Sequence, residues 1–304
     1  MIETWTAELP HGIRLSCRSA GARGRPLMLF LHGFPEGAFA WDALLAHFAR
    51  PENGGFRCVA PNLRGFGRSS APAEVAAYKP ALLIQDILAL AASEHPEGRI
   101  ATLVGHDWGG ALAWAAANAQ PAHISRLVII NAPHPATFAR ELRGNPAQQR
   151  ASAYMHFLAR PDAEALLAED DYRRLWPFFT RMNAGPDGLG WLTGAMRQRY
   201  RELWQHGLTG ACNLYRVTPL KPPLAGKTTA DDIPQPGAAQ AHISVPTLVL
   251  WALQDTALLP ALLDGLDAWV PQLTVEKIPG ATHWVVHEQP DRVAAYIQQF
   301  IAGT

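Results

Sequence analysis

The chain has 304 residues, 48% of them hydrophobic, enough to bury a sizeable core as one large domain or as a domain carrying an insertion. Its 26 Lys and Arg are balanced by 26 Asp and Glu, which leaves no electrostatic footprint for nucleic acid or an anionic membrane and points to a small neutral partner. The sequence also lacks an apolar run of the ~20 residues that span a bilayer, a signal-peptide pattern at its N-terminus, and any metal-ligand spacing among Cys17, Cys58 and Cys212, so a cytoplasmic protein with free thiols is expected.

Taken in chain order, short apolar runs bounded by turn residues fall at 27–31, 57–60, 100–104, 127–130, 247–251 and 273–278, and the β-branched run at 100–104 suits a strand buried on both faces. Segments with helical spacing lie between most of them, at 38–50, 80–94, 108–120 and 260–270. That alternation predicts a mostly parallel central sheet flanked by helices, because parallel strands need a crossover and a helix usually supplies it. Between about Pro133 and His242 the pattern changes to helix-like segments rich in Arg, Trp, Tyr and Phe. Residues 134–241 are therefore expected to form an inserted, mainly helical cap on a core made of 1–133 and 242–304. The far end of the insertion, 218–240, is loaded with Pro, Gly, Thr and Ala and reads as a loop returning the chain to the sheet.

Within this pattern, Gly105-His106-Asp107-Trp108-Gly109 has the Gly-x-nucleophile-x-Gly spacing of a sharp strand-to-helix turn, with Asp107 in the nucleophile position. The flanks agree: an apolar, β-branched run precedes it, and an alanine-rich helical stretch ended by Pro121 follows. Gly105 and Gly109 remove Cβ atoms that so tight a turn would force together. A serine there must first lose a proton, whereas a carboxylate is already anionic at neutral pH and displaces directly at an sp³ carbon, leaving an alkyl ester of the enzyme. An aspartate before a helix is also an ordinary N-cap; the strand-turn-helix context favours the chemical reading.

In an open α/β sheet, ligands sit beyond the carboxyl ends of the strands, so catalytic residues are expected just after apolar runs. Asp255 follows TLVLWALQ, His283 follows LTVEKIPGAT, and His32-Gly33-Phe34-Pro35 follows LMLFL. The order Asp107, Asp255, His283 is that of nucleophile, acid and histidine. A second slot for the acid, after LVII, holds Asn131, which cannot carry the charge, so Asp255 is expected to orient His283. The backbone N–H groups of Phe34 and Trp108 are expected to form an oxyanion hole, and a tight turn at Pro35 is compatible with that role. His106 and His134 read as structural.

HGFPE at 32–36, RGFGRS at 64–69, GHDWGG at 105–110 and the later Asp255 and His283 together resemble the epoxide hydrolase branch of the α/β-hydrolase superfamily, over nearly the whole chain. The resemblance implies an α/β-hydrolase fold and hydrolysis of an epoxide to a vicinal diol, with neither metal nor organic cofactor. It further implies two cap tyrosines that hold the epoxide oxygen. Tyr154 lies seven residues before Pro161, and Tyr215 lies in Asn213-Leu214-Tyr215-Arg216, similar to the family's Asn-x-Tyr-Arg stretch. Asp107 would then open the ring, and His283 would activate the water that hydrolyses the ester. His32, Phe34, Trp108, Met155 and Phe157 are expected to surround a small apolar or aryl epoxide. The departures are Leu214, where an aromatic is often found, and Asn62, where relatives often have Asp. The alternative for the same Asp, Asp and His set is a haloacid or haloalkane dehalogenase, which must hold halide with N–H donors such as the Trp108 indole. Phe34, however, stands where haloalkane dehalogenases carry Asn, and Trp108, Tyr154 and Met155 stand where fluoroacetate dehalogenases carry Arg and His-Trp. Binding without turnover is disfavoured because no member of the set is missing. The sequence neither requires nor excludes a homodimer.

Overall fold

Strands β1 (Glu3–Glu8), β2 (Arg14–Ala20), β3 (Leu27–Leu31), β4 (Arg57–Pro61), β5 (Thr102–His106), β6 (Leu127–Ile130), β7 (Thr247–Ala252) and β8 (Leu273–Ile278) form one sheet in the order β1-β2-β4-β3-β5-β6-β7-β8. β1 pairs antiparallel with β2, and β2 with β4; all the other neighbours are parallel. The computed structural model describes residues 1–95, 97–181 and 190–303. Helices α1 (Asp42–Phe48), α2 (Pro80–Glu94) and α3 (Trp108–Ala119) connect the first strands. Between β6 and β7 comes an inserted segment with α4 (Pro135–Gly144), α5 (Pro146–Ala151), α6 (Tyr154–Leu158), α7 (Ala163–Tyr172), α8 (Trp176–Thr180), α9 (Gly194–Trp204), α10 (Thr209–Val217) and α11 (Ala238–Ala241). Helices α12 (Val285–Glu288) and α13 (Pro290–Gly303) close the chain.

The central strands are apolar throughout because helices cover both faces of the sheet. Successive side chains point to opposite faces, so Leu29, Leu31, Leu103, Ile129 and Val249 pack with α2 and α3, whereas Met28, Phe30, Val104, Val128 and Leu250 pack with α1 and α13. Each such side chain, removed fully from water, contributes about 1.5–3 kcal/mol of transfer free energy. No described helix is long and apolar enough to cross a membrane, and the three cysteines are free and buried.

Three expectations change. The strand predicted at 100–104 runs from Thr102 to His106, because Gly105 and His106 still pair with Ile129 and Ile130 of β6. The helix predicted at 260–270 is two 3₁₀ turns, Pro260–Leu263 and Leu266–Ala268, separated by Gly265 at φ 67, a left-handed backbone that interrupts an α-helix. The helix predicted at 38–50 begins with a 3₁₀ turn, Ala38–Trp41, before α1. The pattern also leaves β1 and β2 unpredicted. They form the outer antiparallel pair, where only alternate residues are buried and no continuous apolar run is needed.

Candidate active site

β5 delivers the chain to Asp107 and α3 carries it away, so the carboxylate stands at the turn with φ 51 and ψ −121. That backbone costs a non-glycine residue on the order of 1–3 kcal/mol and persists only where its surroundings determine it. The glycines make room. A Cβ on Gly109 would lie 2.1 Å from the Leu31 carbonyl oxygen, and one on Gly105 would lie 2.5 Å from that of Gly109. Gly33 does the same for the side chain, since a Cβ there would meet Cβ and Oδ1 of Asp107 at 2.3 Å.

The Asp107 oxygens have separate surroundings. Oδ1 accepts the backbone N–H of Phe34 at 2.7 Å, and the N–H of Trp108 also bonds the carboxylate. Oδ2 lies 3.7 Å from His283 Nε2. On the far side of that ring, Nδ1 lies 2.7 Å from Asp255 Oδ2. Asp255 is buried but fully engaged: Oδ1 accepts the N–H groups of Ala257 and Leu258 at 2.8 and 2.9 Å, and Oδ2 accepts the Asn131 side-chain amide at 2.7 Å. Burial works against its charge, but His283 and these donors outweigh burial and hold its pKa below the usual carboxylate value. Burial alone would also lower His283; the Asp255 charge and hydrogen bond, followed by the Asp107 charge, raise it to about 9. At Asp107 burial prevails over His283, His106 and the two N–H donors, and the pKa is raised above 3.8.

Tyr154 from α6 and Tyr215 from α10 face Asp107 from the inserted segment, their rings 6.1 Å apart. The Trp108 ring packs edge-on against that of Tyr215, with centroids 5.1 Å apart. Burial pushes both phenols above their ordinary range, reinforced at Tyr154 by the Asp107 charge and at Tyr215 by Tyr154 and then Asp107, so both stay protonated at neutral pH. Asp107, Tyr154 and Tyr215 line two spaces. One, of about 590 Å³, also has Phe34, Phe157, Phe178, His283 and Trp284 in its wall; the other, of about 310 Å³, has Trp108, Met155 and His134.

His32, expected against the substrate, lines neither space. It is fully buried beneath the loop, where Nδ1 meets the Gly33 carbonyl oxygen at 2.9 Å and Nε2 accepts the Leu63 N–H at 3.0 Å. Burial lowers its pKa to about 4, which keeps it neutral and suited to holding the loop. His134 caps α4 and reaches the Ala241 carbonyl oxygen at 2.8 Å, tying one end of the inserted segment to the other. His106 reaches the carbonyl oxygen of His283 at 2.9 Å.

The family described as alpha/beta hydrolase fold matches residues 26–290. The chain belongs to the α/β-hydrolase superfamily. This α/β-hydrolase is 32% identical to mouse Epoxide hydrolase 4 over 301 residues, covering 95% of the chain and 77% of that protein. Among solved structures it is similar to a Bacillus megaterium epoxide hydrolase in complex with an inhibitor, with TM-score 0.85, 29% identity and coverage of 98% and 100%. It is likewise similar to a structure described as one of the epoxide hydrolases from metagenomes of hot environments, with TM-score 0.80, 35% identity and full coverage of both chains.

The α/β-hydrolase site also contains residues to which the sequence reading gives no place in it. Asn131 appears there as an acid slot without an acid, yet its amide donates to Asp255 while its Oδ1 accepts the Ala252 N–H at 3.0 Å. Its φ of 41 is a second left-handed position after a strand, and Asn tolerates that conformation better than most residues. Trp284 follows His283 directly and lines the cavity with Phe178, an aromatic of the inserted segment that the sequence offers equally as pocket wall or packing and that meets Phe34 and Tyr154 edge-on.

Proposed function

We propose that this chain is an epoxide hydrolase that converts a small apolar or aryl epoxide and water to a vicinal diol, with residues 134–241 acting as the cap. The observation that carries the reading is the opposition, across one cavity, of a carboxylate beside an imidazole and two protonated phenols. Asp107 Oδ2 attacks a ring carbon, the C–O bond of the ring breaks, and the electron pair goes to the epoxide oxygen, which takes a proton from Tyr154 or Tyr215. The strained ring opens readily only when that charge is met. Esterification removes the Asp107 charge that helps hold the proton on His283, just as a phenolate forms. The proton passes to the phenolate and leaves a neutral base. His283 Nε2 then takes a proton from water, and the hydroxide adds to the ester carbon of Asp107. The Phe34 and Trp108 N–H groups hold the charge that develops on Oδ1. Collapse expels the diol, which takes the proton from His283, and the Asp107 carboxylic acid returns its own to His283. The scheme needs no metal or organic cofactor.

The dehalogenase alternative fits less well, because the Trp108 ring that would hold halide is packed edge-on against Tyr215, and the Phe34 side chain offers no donor. Side-by-side assays with styrene oxide, fluoroacetate and a bromoalkane test the choice. Diol without halide release is expected; halide release without diol would overturn it.

A further inference from the structure

Glu36, directly after the Phe34-Pro35 peptide, is 1% exposed and meets side chains from three other parts of the fold. Its Oε1 accepts the Tyr200 hydroxyl of α9 at 2.7 Å and lies 2.5 Å from Nε2 of His287 in α12. Its Oε2 lies 3.3 Å from Nδ1 of His106, whose other nitrogen reaches the His283 carbonyl oxygen. Trp204, also in α9, donates to the Pro35 carbonyl oxygen at 2.7 Å, and Trp191 stacks on His287 with centroids 4.2 Å apart. A buried carboxylate loses several kcal/mol of hydration, and only well-placed partners return it, so these elements hold their positions together or not at all.

We propose that Glu36, Tyr200 and His287 form a clasp between cap and core whose members are positioning residues for the hydrolytic half of the reaction. The clasp holds the loop that presents the Phe34 N–H, and it holds the segment that runs from His283 into α12 and His287. The His283 segment serves ester hydrolysis alone, whereas the Phe34 N–H also holds the Asp107 carboxylate, so loosening the clasp slows the second step more than the first. The proposal rests on the epoxide hydrolase reading for its kinetic form.

Tyr200→Phe deletes one hydroxyl and keeps the ring packed; His287→Leu removes the second contact; His287→Gln restores an N–H near the Nε2 position. In single-turnover experiments with styrene oxide followed by intact-protein mass spectrometry, ester breakdown in Tyr200→Phe and His287→Leu is expected to slow between about 10-fold and 100-fold, the loss that ångström-scale misplacement of an aligned group brings. Ring opening should slow less than ester breakdown, kcat and KM should fall together, and His287→Gln should recover most of kcat. Hydrogen exchange supplies a readout independent of turnover: Tyr200→Phe should raise exchange in α12 although the change lies in α9. Unchanged ester breakdown in both folded variants, or equal slowing of both steps, would overturn the clasp. If the parent protein forms no ester, the epoxide hydrolase reading fails, and unchanged α12 exchange in Tyr200→Phe would then overturn the clasp separately.

Discussion

Gly33→Ala adds one methyl group at the point where the loop after β3 faces Asp107. Its carbon would lie 2.3 Å from both Cβ and Oδ1 of Asp107 and 2.7 Å from Cγ, distances that van der Waals contact does not allow. Relief requires the carboxylate or the loop to move by roughly 1 Å, and a displacement of that size in an aligned reacting group costs about 10²-fold. Asp107 has little freedom to yield, since its backbone is fixed at φ 51 and Oδ1 is held by Phe34. The stability cost should be that of ordinary overpacking, about 1–3 kcal/mol. Gly144→Ala, at the end of α4 with nothing within 4 Å of the new Cβ, is the control for the same chemical change. Single-turnover ester formation with styrene oxide, read by intact mass, should fall about 100-fold in Gly33→Ala and stay unchanged in Gly144→Ala. A folded Gly33→Ala protein that opens the epoxide at the parent rate would show that Asp107 is not the attacking group or that its placement is not critical.

Asp107→Asn should abolish turnover while far-ultraviolet circular dichroism stays that of the parent. In His283→Gln, an adduct with the mass of the epoxide should accumulate on Asp107, because ring opening does not need the imidazole and ester hydrolysis does. Tyr154→Phe or Tyr215→Phe alone should slow ring opening about 10- to 100-fold, and the double substitution more than either, as expected for donors aimed at developing charge; parent-like ester formation in the double variant would remove the phenols from the mechanism. In the proposed mechanism Asp107 attacks as the carboxylate, and its pKa is raised above 3.8, so ring opening should be lost as pH falls through a midpoint above 3.8. In the proposed mechanism His283 acts when neutral, and esterification takes away one of the charges that hold it at about 9, so ester hydrolysis should rise with pH and level off at a midpoint below about 9.

Much of this site is legible in the sequence because short-range chemistry builds it. Gly105, Asp107 and Gly109 define the turn within five residues, and Asp255 and His283 each follow a run that reads as a strand. Tyr154 and Tyr215 become legible only through the family resemblance, since periodicity does not distinguish them from aromatic packing. What stays hidden depends on distant contacts. Glu36 meets Tyr200 across 164 residues and His287 across 251, and no local pattern announces a buried carboxylate with such partners. His32 misleads for the same reason: its position after a strand points to the cavity, but the Leu63 N–H, 31 residues away, claims its ring. The 260–270 segment has helical spacing, yet Gly265 adopts a left-handed backbone that periodicity alone does not reveal.

The most direct measurement is a single turnover of styrene oxide with enzyme in excess in water enriched in oxygen-18, followed by mass analysis of the diol and of the peptide containing Asp107. If Asp107 forms the ester and water attacks its carbonyl carbon, the first diol carries no label and the Asp107 carboxylate gains it. Label in the first diol with none on Asp107 would mean that water opens the ring directly, and the covalent mechanism would be wrong.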